Sequence, residues 1–301
     1  GALLTMMRAV GRSLLQMVRR PARLATLLLA LAAFPAAAEG TLPRVMSLNV
    51  CTDQLVLELA APGQILSLSE LADDANLSFH SAMAARYPKN RGLAEEVFLV
   101  RPDIVVTGTY SLHNTTQLLQ HIGMRVETFD YAQTLESVPG NVRRMGAILG
   151  QEARAEQIAA DYEADLAALS APPAADAPTA ILYEQNGVVL GAGTLADSAL
   201  KAAGFRNLAA ERGFDGMAPY PLELLVRDRP DLVLLATPFP GAPSLADQYV
   251  EHPALAALSS LRRISVVPRG SLACAGPFTL QAVRALKALR EELAANKGGE
   301  G

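Results

Sequence analysis

"LAEEVFLVRPDIVV" occupies Leu93–Val106, and a close copy, "PLELLVRDRPDLVLL", occupies Pro221–Leu235. Each copy holds a glutamate, a short apolar run of helical character, an Arg-Pro-Asp triplet and a strand rich in aliphatic residues. Glu95 and Glu223 both lie seven residues before the proline of their copy. Because proline cannot extend a helix, each triplet predicts a helix end followed by a buried strand. The repetition indicates two similar halves.

The rest of the chain alternates strand and helix patterns around these copies. Strands are predicted at "RVMSLN", "QILSLS" and "MRVETFD", and later at "TAILYE", "GVVLG" and "RISVVP". The helix after the first strand has Thr52 or Asp53 as its predicted N-cap. Such alternation favours parallel sheets with right-handed crossovers. Residues 135–169 have apolar residues at helical spacing and a break near Gly150, which predicts one or two helices. The predicted fold is α/β, with two Rossmann-like lobes joined by a long backbone helix.

The first 38 residues have the pattern of an export signal. Five arginines and no acids precede Glu39, Leu24–Phe34 is apolar, and three alanines follow at positions 36–38. The apolar run is short for a bilayer-spanning helix, which needs about 20 residues, and no cysteine follows it that could carry a lipid. The predicted divisions are 1–38, signal peptide; 39–134, N-terminal lobe; 135–170, helical spine; and 171–301, C-terminal lobe.

Net charge and cysteine content limit the classes of function that this protein could have. The 301 residues carry 26 Lys and Arg and 30 acids, and five of the cations precede Glu39, which leaves a formal net charge of −9 after cleavage. An acidic exported protein is a poor nucleic-acid binder, so we expect a soluble, periplasmic protein. Cys51 and Cys274 could pair in an oxidising compartment. The sequence leaves open whether they do or are two isolated, buried residues.

Glu95 and Glu223 have two interpretations. An acid in the first helical turn is favoured by the helix dipole, by about 0.3–1 kcal/mol, and Pro221 places Glu223 in such a turn. That reason suffices for either residue alone. Matched acids at one offset in both halves instead favour a docking role, with each acid meeting a basic patch on a pseudo-symmetric partner.

The sequence resembles the periplasmic solute-binding proteins of the helical-backbone class, which serve ABC importers for iron–siderophores, haem and cobalamin. The resemblance rests on "RVMSLNVCTDQLVLELA", the two repeated copies, the helical spine and "GAGTLADSALKAAGFRNLA", and covers nearly the whole chain after residue 38. It implies a monomeric receptor, not an enzyme, with no intrinsic cofactor, which delivers a metal chelate to an inner-membrane permease dimer. It also implies that Glu95 and Glu223 meet arginines of the two permease subunits.

The same resemblance places the ligand between the lobes, on loops that follow strand ends, as is general for open α/β sheets. These loops offer aromatic rings as flat surfaces and arginines that could meet carboxylate or phosphate groups. A solvated loop side chain is the alternative interpretation for each of them. The predicted ligand-binding residues are Tyr110, Tyr183, Arg212, Phe214, Tyr220, Phe239 and Arg269.

The sequence constrains the identity of the chelate less than it constrains the class of protein. The chain has no tryptophan, whereas a cobalamin receptor of this family lines its cleft with several, and Gly108 and Met217 stand at two of those positions here. This departure weakens a cobalamin assignment. Haem would need a Tyr or His as an axial iron ligand, and the sequence offers several, among them Tyr110 and His113. A ferric siderophore needs only aromatic and cationic contacts and is the leading expectation.

Two alternatives stay open. A bare zinc or manganese ion could use His80, with Asp73 and Asp74 near it in sequence, and His113. An exported enzyme with two Rossmann-like lobes could use Gly191-x-Gly193 as part of a nucleotide site. That glycine motif lacks its third glycine, and no nucleophile elbow, zinc-protease motif or P-loop lysine occurs in the sequence.

Overall fold

The computed structural model describes residues 40–109, 111–130, 134–184, 187–235, 253, 261–263 and 266–298. Residues from Leu42 onward form one compact unit, and only two residues of the preceding unit are described. The predicted signal peptide therefore lies outside the described residues. Within the described ranges, no helix is both long and apolar enough to cross a membrane.

The first lobe is a five-stranded parallel sheet in the order β3-β2-β1-β4-β5. Its strands are β1 (Val45–Ser47), β2 (Ile65–Ser69), β3 (Lys89–Asn90), β4 (Ile104–Gly108) and β5 (Val126–Phe129). Its helices are α1 (Val50–Leu59), α2 (Ser81–Ala84), α3 (Ala94–Val100) and α4 (His113–His121), with a 3-10 turn at Glu70–Asp73. The strand order reverses between β1 and β4, so the loops after these two strands diverge and leave a crevice.

Two packed helices form the spine, α5 (Val138–Leu149) and α6 (Glu152–Leu169), and a 3-10 turn at Leu135–Ser137 precedes them. The predicted break near Gly150 is confirmed, since this residue ends α5 at φ 67°. The helices touch closely: a Cβ placed on Gly146 would lie 2.2 Å from the Cβ of Ala155. Few flexible positions therefore separate the two lobes.

The second lobe has a mixed sheet in the order β11-β10-β6-β7-β9, with β8 also beside β6. The expectation of wholly parallel sheets is wrong here. β7 runs antiparallel to both of its neighbours, β6 and β9, because a four-residue connection after β6 is too short for a parallel crossover. The strands are β6 (Thr179–Tyr183), β7 (Val188–Leu190), β8 (Arg206–Asn207), β9 (Met217–Pro219), β10 (Leu232–Leu235) and β11 (Leu261–Arg263). The helices are α7 (Leu195–Ala202), α8 (Leu208–Glu211), α9 (Leu222–Asp228) and α10 (Thr279–Gly298).

The largest buried cluster connects both lobes through the spine. It includes Val45 and Leu68 of the first sheet, Met145 and Tyr162 of the spine, and Leu286 of α10. Two smaller clusters cover the opposite faces of the two sheets. Each sheet is thus covered on both faces, as the continuous apolar runs of β4 and β10 require.

The two repeated copies fold alike. α3 and α9 each end at an arginine in the left-handed region, Arg101 at φ 53° and Arg229 at φ 43°. A proline follows each arginine, and then comes a buried strand, β4 or β10. The predicted helix–proline–strand units are confirmed in both lobes.

The aspartate of each Arg-Pro-Asp triplet ties that strand to the central strand of its sheet. The Asp103 carboxylate accepts the backbone N–H of Arg44 at 2.7 Å, and the Asp231 carboxylate accepts that of Thr179 at 2.9 Å. Arg44 immediately precedes β1 and Thr179 begins β6. The equivalence of the two lobes therefore extends to individual hydrogen bonds.

Candidate functional site

The crevice of the first lobe begins at Asn49, two residues after β1. Its side-chain oxygen accepts the N–H groups of Cys51 and Thr52 at 2.8 and 3.3 Å, so Asn49 is the N-cap of α1. The prediction of Thr52 or Asp53 as the cap is wrong, because the cap lies three to four residues earlier, at Asn49, and the helix starts at Val50. The Asn49 amide also donates to Ser111 Oγ at 2.8 Å, which joins the loops after β1 and β4.

Asp53 lies beneath this crevice and is fully buried. Its carboxylate accepts the Ser69 backbone N–H at 3.1 Å and the Ser69 hydroxyl at 2.5 Å. Burial raises its pKa to about 7, although the hydrogen bonds from Ser69 and Ser47 and the charge of Lys89 act in the opposite direction. The first turn of α1 therefore holds a carboxyl group that titrates near neutral pH.

Three loops predicted to line the groove meet one another across it. Cys51 of α1 is disulfide-bonded to Cys274, which lies in the loop before α10. Phe79, in the loop after β2, stacks on Phe278 with ring centroids 4.6 Å apart and planes 7° from parallel. The structure thus settles the question that the sequence left open: the cysteines pair. We call Cys51, Cys274, Phe79 and Phe278 the interlobe clamp.

Backbone and polar contacts extend the clamp. The Arg269 guanidinium donates to the Asn76 side-chain oxygen at 2.9 Å, again from one lobe to the other. A Cβ on Gly270 would come within 2.6 Å of the Phe79 backbone nitrogen, so the two loops touch through their main chains. Of the predicted ligand-binding residues, Arg269 is therefore held at the contact between the lobes.

A second group of predicted ligand-binding residues forms an internal network in the second lobe. The Tyr183 ring is fully buried and its hydroxyl donates to the Tyr220 carbonyl at 2.8 Å. The Tyr220 hydroxyl donates to Asp228 Oδ2 at 2.7 Å, and Arg212 Nη2 lies 2.8 Å from Asp228 Oδ1. Hydrogen bonds from Arg227 and Tyr220 hold the pKa of Asp228 below its usual range. This network connects the end of β6 to the end of α9.

The other aromatic residues predicted to bind the ligand are Phe214, Tyr110 and Phe239. Phe214 is partly buried against the same network, with its ring 5.4 Å from that of Tyr220 in an edge-to-face arrangement. Tyr110 and Phe239 lie outside the described residues. The structure thus brings Tyr183, Arg212, Phe214 and Tyr220 together, but as part of the body of the second lobe.

Glu184, directly after β6, is a partly buried acid that was not among the predicted site residues. It lies five residues after Thr179, just as Asn49 lies five after Arg44, so the two occupy equivalent places in the lobes. Burial raises the pKa of Glu184, and within the described residues its carboxylate makes no hydrogen bond or ion pair. The sequence pattern concealed it, because it continues the predicted strand "TAILYE".

The residues considered for a bare metal ion are dispersed. Asp73 pairs with Lys89 at 3.2 Å, and the side-chain oxygen of Asp74 accepts a backbone N–H two residues later. His80 Nε2 lies 2.7 Å from Glu58 Oε1. Across the described part of the chain, no group of three or more His, Cys, Asp or Glu is arranged to hold a metal ion.

Gly191 has a packing reason that is unrelated to nucleotides. A Cβ at this position would lie 2.1 Å from the Phe214 carbonyl oxygen. The Gly191 N–H donates to the Gly216 carbonyl at 2.8 Å, so the two backbones run side by side. The close approach accounts for glycine here.

Glu95 and Glu223 lie in the first turns of α3 and α9, and both are exposed. Within the described residues, neither carboxylate makes a hydrogen bond or an ion pair. Both lobes thus present an uncompensated acid at the same point of the same structural unit.

The chain belongs to the periplasmic binding protein family, because a sequence model of that family matches residues 45–267. This family comprises substrate-binding proteins of transport systems. No curated protein sequence matches the chain closely enough to count as a relative.

Solved structures share the fold. A periplasmic haem-binding protein from Pseudomonas aeruginosa is 25% identical with a TM-score of 0.64, covering 82% of this chain and 92% of that one. The vitamin B12-binding protein BtuF of Vibrio cholerae is 14% identical, TM-score 0.64, with coverages of 84% and 98%. The molybdate-binding protein MolA of Haemophilus influenzae is 15% identical, TM-score 0.67, with coverages of 84% and 88%. Similar TM-scores accompany different ligands, so the fold alone does not select the cargo.

Proposed function

We propose that this chain is the substrate-binding component of an ABC importer, which captures a metal chelate between its lobes and delivers it to a membrane permease. The observation that carries the proposal is the matched pair of exposed, unpaired acids, Glu95 and Glu223, on equivalent helices of two equivalent lobes. The protein acts as a monomer in the periplasm. The disulfide supports that location, since such bonds persist in oxidising compartments.

A ferric siderophore is the first candidate cargo. Among the described tyrosines, Tyr162, Tyr183 and Tyr220 are buried and Tyr87 packs against the core, so none of these rings is free to serve as an axial haem ligand. A siderophore complex carries its own metal ligands and needs none from the protein.

Haem is the second candidate. The structural neighbour at 25% identity is a haem-binding protein, and His113 is exposed at the start of α4, next to the loop that Asn49 contacts. An imidazole there could supply an axial nitrogen.

Titration of the ligand-free protein with haemin, a ferric trihydroxamate, cyanocobalamin and molybdate tests the cargo class. Siderophore binding predicts saturable quenching of tyrosine fluorescence by the trihydroxamate, which His113→Ala leaves unchanged. Haem binding through this histidine instead predicts a Soret band that His113→Ala shifts. If only molybdate binds, the metal-chelate proposal is wrong.

Docking is proposed to proceed through Glu95 and Glu223, each facing a cation of one permease subunit. The surroundings of the two acids differ. Three and four residues after Glu95, Phe98 and Leu99 are 46% and 84% exposed, whereas the corresponding residues after Glu223 are Val226 and Arg227. Because exposed charges steer association, the encounter should weaken as salt concentration rises.

The double variant Glu95→Arg/Glu223→Arg should lose uptake by about tenfold or more, because like charges would face the permease. Chelate affinity should stay unchanged. Glu152→Arg is the matched control, since Glu152 is an exposed first-turn acid on the spine helix α6. Normal uptake by the double variant, or an equal loss in the control, would reject the docking role.

A further inference from the structure

The interlobe clamp approaches the groove from one edge of each sheet. In the first lobe Phe79 follows β2, next to the β3 edge of the order β3-β2-β1-β4-β5, and Cys51 follows the central strand β1. In the second lobe Cys274 and Phe278 lie after β11, the edge strand of the order β11-β10-β6-β7-β9. The loop after β4 lies toward the β5 edge of the first sheet, and β6 is the central strand of the second sheet, with β7 and β9 on the side away from β11. The clamp therefore occupies one side of the groove.

Several contacts, one of them covalent, hold the interlobe clamp together. The disulfide joins residues 223 positions apart, Phe278 is buried, and the ring stack, the Arg269–Asn76 hydrogen bond and the Gly270 backbone approach all cross between the same two loops. A hinge motion that parted the lobes at this edge would have to break a covalent bond. Motion between the lobes is thus limited to rocking about the clamp.

We propose that the clamp permanently closes one edge of the groove, so that cargo enters and leaves only at the opposite edge. There it would contact the Asn49–Ser111 pair of the first lobe and the Glu184 carboxylate of the second. Asn49 and Glu184 are the equivalent residues at the ends of the two central strands. This placement of the cargo rests on the proposed receptor function, whereas the mechanical role of the clamp does not.

Glu184 determines which chemical groups a cargo should present on this side of the groove. A partly buried carboxyl without a partner in the described chain is costly unless a donor meets it. The cargo should therefore present a hydroxyl, an amide N–H or a cationic group to this position. A fully anionic ligand such as molybdate would be repelled by the ionised form.

The clamp is tested by comparing the native protein, before and after a dithiol reductant, with Cys51→Ser/Cys274→Ser. Small-angle X-ray scattering should show a larger radius of gyration for the reduced protein and the variant than for the oxidised protein. Reductant should not change the variant. Should the variant fold poorly, hydrogen exchange of residues 76–81 in the reduced native protein reports the same opening. Unchanged scattering and exchange on reduction would overturn the clamp.

The cargo side is tested with haemin and the ferric trihydroxamate as probes. Glu184→Ala should weaken binding of whichever probe binds by several-fold, while Glu152→Ala, at an exposed acid on the spine helix, should not. Cargo should also dissociate several-fold faster from the reduced protein. An unchanged affinity in Glu184→Ala would overturn the cargo placement and leave the clamp standing. If neither probe binds, the proposed function fails, and the scattering comparison still decides the clamp.

Discussion

Asp53 shows how tertiary contact can overrule a local sequence signal. An acid in the first helical turn usually lies exposed and stabilises the helix dipole. Here the Asp53 carboxyl group is buried and accepts two hydrogen bonds from Ser69, at the end of β2. The sequence predicted the helix but not this contact, because the partner lies 16 positions away in a different element.

The raised pKa makes stability depend on pH in a definite direction. Between about pH 4 and pH 7 the unfolded chain ionises Asp53 and the folded chain keeps it protonated. Stability therefore falls as pH rises through this window, and the penalty is constant above the folded pKa. Asp53→Asn, which mimics the protonated form, should remove this fall.

The gain for Asp53→Asn should reach up to about 4 kcal/mol at pH 8 and vanish near pH 4. Urea unfolding at several pH values measures it. Asp176→Asn is the control, since Asp176 is exposed in a turn and should change nothing. A variant as pH-dependent as the native protein would show that Asp53 is already ionised when folded.

At the scale of elements, the repeated copies were the most predictable part of the fold. Their helix ends, prolines and strands follow from local chemistry, and the structure shows them in both lobes. The strand β7 was predicted but its antiparallel direction was not, because a short apolar run carries no sign of strand direction, and β9 was not predicted at all. Tyr183 and Tyr220 looked like groove residues, since a sequence cannot show which face of a strand end becomes core.

Arg101 and Arg229 end their helices in a conformation that favours glycine. Arg101→Gly and Arg229→Gly should each stabilise the protein by about 0.5–1 kcal/mol, because the left-handed backbone no longer opposes a side chain. Arg91→Gly, at a loop position without positive φ, is the control and should be neutral or destabilising. Urea unfolding of each variant measures the change in the free energy of unfolding. Destabilisation by both substitutions would mean that the arginine side chains contribute more than the backbone strain costs.

At the scale of the whole molecule, covalent and packed contacts join the two lobes on two sides. The spine contributes its buried face to the largest core cluster, and the interlobe clamp lies across the groove. The sequence indicated both lobes and the spine. It could not decide on the disulfide, since pairing depends on the approach of two loops from different lobes.

Cys51→Ser/Cys274→Ser should lower the free energy of unfolding by about 2–5 kcal/mol, because the bond closes a very long loop in the unfolded chain. Urea unfolding of the variant and of the native protein with and without reductant measures this. The reduced native protein should match the variant. Equal stability of all three forms would show that the lobes gain nothing from the cross-link.

The most direct test of the receptor assignment is to purify the protein from its native periplasm without added ligand, then measure its metal content and visible spectrum. The receptor assignment predicts equimolar metal in chelated form: a broad ferric charge-transfer band for a siderophore, or a Soret band for haem. Protein that carries only a metal-free metabolite, although the cells were grown with the chelate available, would contradict it.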